Sequence, residues 1–144
     1  MPDTRVPEAF DAFLAEPRNA IMCIARGPGR PPHATPVWYE YRDGAFSISI
    51  TRTRVKYRLL LDAPNVTLVI DDPVTFRTVI VSGRAAIVDD DASLVALRKA
   101  LRARYGDVPG ADAETDEELA RALREEERVV IVVEPEQVLS WPEA

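Results

Sequence analysis

The segment Thr51–Arg58, TRTRVKYR, holds the densest chemistry in the chain. Arg52, Arg54, Lys56 and Arg58 fall within it, although only 18 residues are Lys or Arg against 24 Asp and Glu, for a net charge of −6. The segment follows an alternating strand and opens a helix. Two hydroxyls, Thr51 and Thr53, stand at the junction, and Thr53 is the expected N-cap. A helix N-terminus already carries about half a positive charge, so each cation in its first turn costs roughly 0.3–1 kcal/mol. Stability alone would select Asp or Glu where Arg54 and Lys56 stand. A bound anion removes the conflict, because free backbone N–H groups, threonine hydroxyls, a guanidinium fork and an ammonium together make a phosphate-binding set. The competing reading is a solvated basic face that offsets acidic neighbours.

The other reactive residues carry less. His33 is the single histidine and Cys23 the single cysteine. Within one chain they exclude a disulfide framework, a zinc site of Cys and His alone, and any Ser-His-Asp triad not built on His33. Cys23 lies in the apolar run AIMCIAR and reads as a small core residue. Asp107–Glu127 holds nine carboxylates and two arginines but no EF-hand spacing, so it reads as loop and solvated helix face. Asp89-Asp90-Asp91 reads as the end of a strand and the cap of the next helix. No metal site is expected. Gly27-Pro28-Gly29 precedes no helix and is not a nucleotide-binding loop. The acidic balance argues against nucleic acid as a partner. The longest apolar runs, such as Val129–Val133, are far too short to cross a membrane, and the N-terminal sequence has no basic start followed by an apolar run. A cytoplasmic protein is expected.

The elements that must position these residues follow from periodicity. Pro7–Glu16 reads as a short amphipathic helix, Ala20–Arg26 as a strand, and His33–Tyr41 as a second strand rich in aromatic and β-branched residues. Trp38 and Tyr39 face opposite sides of that strand, so at least one is core. Arg42-Asp43-Gly44 is a hairpin turn. Ala45–Ile50 alternates strictly. Residues 54–62 read as a helix stopped by Ala63-Pro64. Asn65–Ile70 and Phe76–Val88 are strands, the latter with Gly83 as a bulge or close approach. Ala92–Tyr105 is a helix with Leu94, Leu97 and Leu101 inside and Arg98, Lys99 and Arg102 toward solvent. Asp116–Glu127 is an acidic helix, and a last strand over 128–141 is interrupted at Pro135. The expected fold is one domain over residues 1–144: an α+β, antiparallel six-stranded sheet or barrel with peripheral helices.

This order of motifs resembles the flavin and deazaflavin oxidoreductases with a split β-barrel, the superfamily of pyridoxamine 5′-phosphate oxidase, and within it the small reductases that use coenzyme F420. The likeness runs from Phe10 to Trp141. It rests on HATPVWYEYRDGAFSISI, TRTRVKYRLLLDAPNVTLVI, FRTVIVSGRAAIV and RVVIVVEPEQVLSW, the second being the most specific. The resemblance implies that Arg54 and Lys56 hold a cofactor phosphate with Thr51 and Thr53 beside them, and Arg52 and Arg58 are the further cations that the longer anionic tail of F420 would need. It implies that the cofactor ring lies against Pro36, Val37 and Trp38. It also implies a homodimer with the cofactor at the subunit interface, to which the partner chain brings residues matched by Phe76 and Arg77. The pyridoxamine oxidase branch has a basic residue where Tyr39 stands and a C-terminal extension beyond Ala144, so oxidation of pyridoxamine phosphate is not expected.

The implied activity is an F420-dependent oxidoreductase that passes a hydride between reduced deazaflavin and an unsaturated small molecule. No residue is required as an acid or base, and a final proton would come from water or from Tyr39. The alternatives are an FMN-binding oxidoreductase, or a non-catalytic module that carries cofactor or haem, the last with His33 as the available axial ligand.

Overall fold

The strands are built from the β-branched and aromatic runs that the sequence separates with Gly, Pro and Asp-Gly turns. The computed structural model of the protein describes residues 3–107 and 109–142. After a 3-10 turn (Glu8–Phe10) and a short helix α1 (Asp11–Ala15) come β1 (Ala20–Ile24), β2 (His33–Val37), β3 (Glu40–Arg42) and β4 (Ala45–Thr51). Helix α2 (Val55–Asp62) leads into β5 (Asn65–Asp72) and β6 (Arg77–Val88). Helices α3 (Asp91–Tyr105) and α4 (Asp116–Glu125) precede the long β7 (Arg128–Trp141). All pairings are antiparallel, in the order β2-β1-β5-β6-β7-β4-β3.

That order forces the sheet to curl. Its two edges, β2 and β3, are joined only by Trp38 and Tyr39. Three Cα steps span about 10 Å at most. A flat sheet of seven strands would hold its edges about 29 Å apart, at ~4.8 Å per gap. The sheet therefore wraps until its edges meet, around a core that includes Met22, Leu68, Val81, Ile131, Ile48 and Phe46. α3 and α4 pack on the outside of the sheet. They make a second core in which Leu94, Leu97 and Leu101 meet Leu119 and Leu123 over Val130.

Seven strands form among the described residues, not the six expected. The run His33–Tyr41, read as one strand, is two: it leaves one edge at Val37 and rejoins the sheet at the other edge at Glu40. Periodicity could not show this, because extended backbone continues through the link. The last strand also runs unbroken through Pro135. The register shift at Ser82/Gly83 sets Pro135 opposite Gly83, where a proline without an N–H is tolerated. A third difference concerns Cys23, which is half-buried on the outer face of β1 rather than in the core.

Gly83 is fixed by close approach. A Cβ there would stand 2.1 Å from the backbone oxygen of Glu134. Gly83→Ala is expected to cost about 3 kcal/mol, at the upper end of overpacking, read as a lower urea midpoint with an unchanged slope. An unaltered midpoint would show that the bulge relaxes freely.

Candidate functional site

Because β3 pairs only Ala45–Ser47 of β4, residues beyond Ser47 have no partner on that side. The free edge of β2 lies across from them, and the split between the two edges opens as a cavity of about 550 Å³. Thr35, Pro36 and Val37 line one wall, and Ser49, Ile50 and Thr51 the other. The start of α2 closes one end with Arg54 and Lys56, and α3 leans over the cleft with Arg98 and Leu101.

At the α2 end, Arg54 is the N-cap, with extended dihedrals and no side-chain cap bond. Thr53, the expected cap, instead shares a hydrogen bond with the Thr51 hydroxyl at 2.8 Å. The first turn carries no acid, so its N–H groups face a cluster of positive charge. Lys56 is half-buried and donates from Nζ to Thr35 Oγ1 at 3.1 Å. Burial lowers its pKa, and the nearby Arg54 lowers it further. No Asp or Glu lines the cleft among the described residues. This corner has no acidic side chain among the described residues and has the donors to hold an anion: a hydrogen-bonded pair of threonine hydroxyls, a guanidinium, an ammonium and a helix start.

The wall at the closing link is aromatic. Trp38 lines the cleft and is 37% exposed. Its ring stacks on Tyr105 of α3 at 4.5 Å between centroids and 6° between planes. The Tyr105 hydroxyl donates to the Arg18 carbonyl at 2.8 Å and accepts from the Tyr39 N–H at 3.2 Å. One tyrosine thus fixes both the link and the indole. Tyr39 faces the other way and is 0% exposed. Burial, its largest influence, pushes its pKa up to about 12. Tyr39 does not line the cleft, so it is not a proton source there. His33 stands at the start of β2 with Nδ1 3.4 Å from Arg26 and does not line the cleft either.

Two cationic cleft residues were not singled out as site residues from the sequence. Arg98, expected toward solvent, is 6% exposed and lies under the loop after α3. It donates from Nη2 to the carbonyls of Pro109 and Ala111 at 2.9 and 2.8 Å. Arg128, the first residue of β7, sits beside Thr51 in register. The signal for Arg98 was present: it is four residues after Leu94 and three before Leu101, inside the apolar stripe. Nothing in the pattern marks Arg128.

The structure therefore brings Pro36, Val37, Trp38, Thr51, Arg54 and Lys56 to one cleft, with Thr53 attached through Thr51. It does not bring the others. Arg52 forms an ion pair with Asp89 at 2.7 Å and lies over the Tyr57 ring. Phe76 is 74% exposed in the β5–β6 turn, and Arg77 lies over Phe10. Arg77, just after Phe76, begins the 12-residue β6, whose far end at Val88 pairs with Val130, near Arg128. About 36 Å of strand contour separates the two ends. No cluster of three or more metal-ligating side chains occurs among the described residues.

Residues 6–142 match the pyridoxamine 5′-phosphate oxidase family. No curated protein matches the chain. Among solved structures, an F420 reductase is 26% identical, with 93% of this chain aligned to 98% of that one at a TM-score of 0.71. A conserved hypothetical protein of Mycobacterium tuberculosis is also 26% identical, over 96% of this chain and 86% of its own, at a TM-score of 0.75. The heme storage protein HutZ of Vibrio cholerae shares the fold at 15% identity and a TM-score of 0.68, covering 94% of each chain.

Tyr105→Phe keeps the ring under Trp38 and removes the hydroxyl that satisfies two backbone groups. A loss of about 1–3 kcal/mol in stability is expected, measured by urea unfolding, with the indole emission of the folded state unshifted. A red shift would mean that the hydroxyl, not the stack, holds Trp38.

Proposed function

The chain belongs to the pyridoxamine 5′-phosphate oxidase family, and from that premise we propose that its cleft binds a flavin-type cofactor, coenzyme F420 in preference to FMN, and that the protein is an F420-dependent oxidoreductase acting on an unsaturated small molecule. The observation that carries the reading is the convergence of Thr51, Arg54 and Lys56 with the Pro36–Trp38 wall on one carboxylate-free cleft. The F420 reductase neighbour supports the choice of cofactor. When bound, the reduced deazaflavin supplies the hydride. The chain's residues bind, orient and exclude water. Arg54 and Lys56 take the phosphate, the hydrogen-bonded Thr51–Thr53 pair adds one hydroxyl donor, and Trp38, held rigid by Tyr105, borders the ring. One observation favours FMN instead: Arg52 is engaged by Asp89, which withdraws a cation expected to reach the longer anionic tail of F420.

Arg54→Ala and Lys56→Ala each remove a charge-assisted bond of about 1.5–3 kcal/mol. Cofactor affinity should fall roughly tenfold to a hundredfold, while stability stays level or rises slightly as a cation leaves the helix start. Titrating F420 and FMN over a salt series tests the cofactor. F420 should bind more tightly at low salt, and the difference should shrink as salt screens its extra charges. Equal affinities at low salt would favour FMN. The pH dependence follows from Lys56. Its free-protein pKa is below the ordinary 10.5, and only the ammonium form binds phosphate. Affinity should thus fall as pH rises through that lowered pKa. Lys56→Arg should abolish the fall.

The protein is further proposed to work as a homodimer that pairs through the outer face of its sheet. Ile21, Val69, Ile80 and Leu139 form one cross-strand row there over β1, β5, β6 and β7. Leu139, Trp141, Phe76 and Val74 are strongly exposed on or beside that face. Neither Phe76 nor Arg77 lines its own cleft, and on this proposal they reach the partner's cofactor. Sedimentation should show a dimer at micromolar concentration, and Leu139→Glu should give a monomer with weakened cofactor binding. A stable wild-type monomer would remove the shared site.

A further inference from the structure

The cleft carries more positive charge than one phosphate corner needs. Arg98 and Arg128 line it in addition to Arg54 and Lys56. Arg98 is the one charged residue that is buried among the described residues. Its Nε and Nη2 are spent on the Pro109 and Ala111 carbonyls, and its Nη1 makes no hydrogen bond among the described residues. Desolvation lowers its pKa, more than its neighbours raise it. Arg128 is less satisfied: its Nε is buried and has no hydrogen-bond partner among the described residues. The one carboxylate near both is Glu126, whose Oε1 lies 3.8 Å from Arg128 Nε and already accepts the Ala111 N–H at 3.1 Å. Asp112 is held by Arg102. Two guanidinium groups thus share one committed carboxylate, and both face the same cavity.

We infer that Arg98 and Arg128 form a second anion subsite in the cleft, built to take a carboxylate whose apolar or planar body lies toward Trp38 and Leu101. A guanidinium fork matches a planar carboxylate bidentately, and Arg128, a partly exposed cleft residue whose side chain makes no hydrogen bond among the described residues, keeps its Nη donors for such a ligand. Arg98 is the preset member, clamped by the loop carbonyls, and Arg128 the responsive one. The carboxylate belongs either to the hydride acceptor or to the acidic tail of the cofactor. Only that assignment rests on the proposed cofactor binding; the subsite itself does not.

The probes are trans-cinnamate and its neutral amide, titrated calorimetrically into protein without cofactor and into protein loaded with F420 or FMN. Cinnamate should bind at least tenfold more tightly than the amide, and Arg128→Gln should erase that preference. If Arg128→Gln weakens cinnamate binding to the loaded protein and leaves both cofactors unaffected, the carboxylate is the substrate's. If it weakens F420 about tenfold and spares FMN, the carboxylate is the tail's. Equal binding of acid and amide, together with unchanged F420 affinity in the variant, would overturn the inference. Should Arg128→Gln fold poorly, Arg128→Lys carries the same test: it keeps the charge, loses the fork and should cost a fewfold loss of cinnamate. Arg128-dependent cinnamate binding in a protein that binds neither cofactor would sink the cofactor reading and leave the subsite standing. Normal cofactor binding lost only in the Arg54 and Lys56 variants would do the reverse.

Discussion

Two residues between β2 and β3 decide the shape of the molecule. With the edges of a seven-stranded sheet tied by Trp38 and Tyr39, the sheet has no flat solution and must wrap. The tie also sets where the wrap stays open. β3 has three residues and covers only the first part of β4, so the remainder of β4 faces β2 across a gap too wide for ladder hydrogen bonds. Extending β3 would continue the ladder along β4 and close that gap. The site is therefore a consequence of a short strand, and its two walls are edges whose polar backbone groups are free to meet a ligand.

The tie itself is held by opposed burial. Tyr39 enters the core, with its ring against Phe46 and under the Arg104 guanidinium at 4.5 Å. Trp38 turns outward onto Tyr105. Arg104 and Tyr105 are adjacent on α3, so one helix grips the link from both sides. Arg104 also donates to the carbonyls of Ala15 and Glu16 at the end of α1. The second core under α3 and α4 thus does more than cover apolar sheet: it fixes the helix that fixes the link.

The strand content, the hairpin at Asp43-Gly44, the close approach at Gly83 and the cap at Asp90 were legible because each rests on local chemistry. Asp43 and Gly44 both take positive φ, and Asp90 accepts the Ser93 N–H at 2.9 Å. The cationic corner at the start of α2 was legible for a related reason: cations at a helix start are a local conflict, visible without a fold. Thr53 was misjudged as the cap because a preceding hydroxyl offered it a better partner than the helix did. The break at Trp38-Tyr39 was hidden, since alternation does not record which neighbour a strand pairs with. The burial of Arg98 was signalled by its place inside the apolar stripe, but a charged residue there is ordinarily assigned to the stripe's edge. What buries it is a loop some ten residues away, whose carbonyls replace water as acceptors.

The charge balance of the cleft connects these points. An acidic protein can neutralise surface arginines cheaply, and it does so with Arg52 on Asp89, Arg102 on Asp112 and Arg124 on Asp91. It does not do so for the cations that line the cleft. Arg54 has no ion pair among the described residues, Lys56 has a threonine, and Arg98 and Arg128 share Glu126. Leaving those charges together costs stability, because like charges and desolvation both oppose the ionised forms. A ligand of the proposed kind, with anions at both ends of the cleft, would reverse that cost, and its binding would be coupled to folding by mass action. On the proposed reading the anion-poor lining would discriminate: a neutral ring of the same size would gain the aromatic wall but further desolvate the half-buried Lys56 and Arg128 without pairing them, and that cost counts against it.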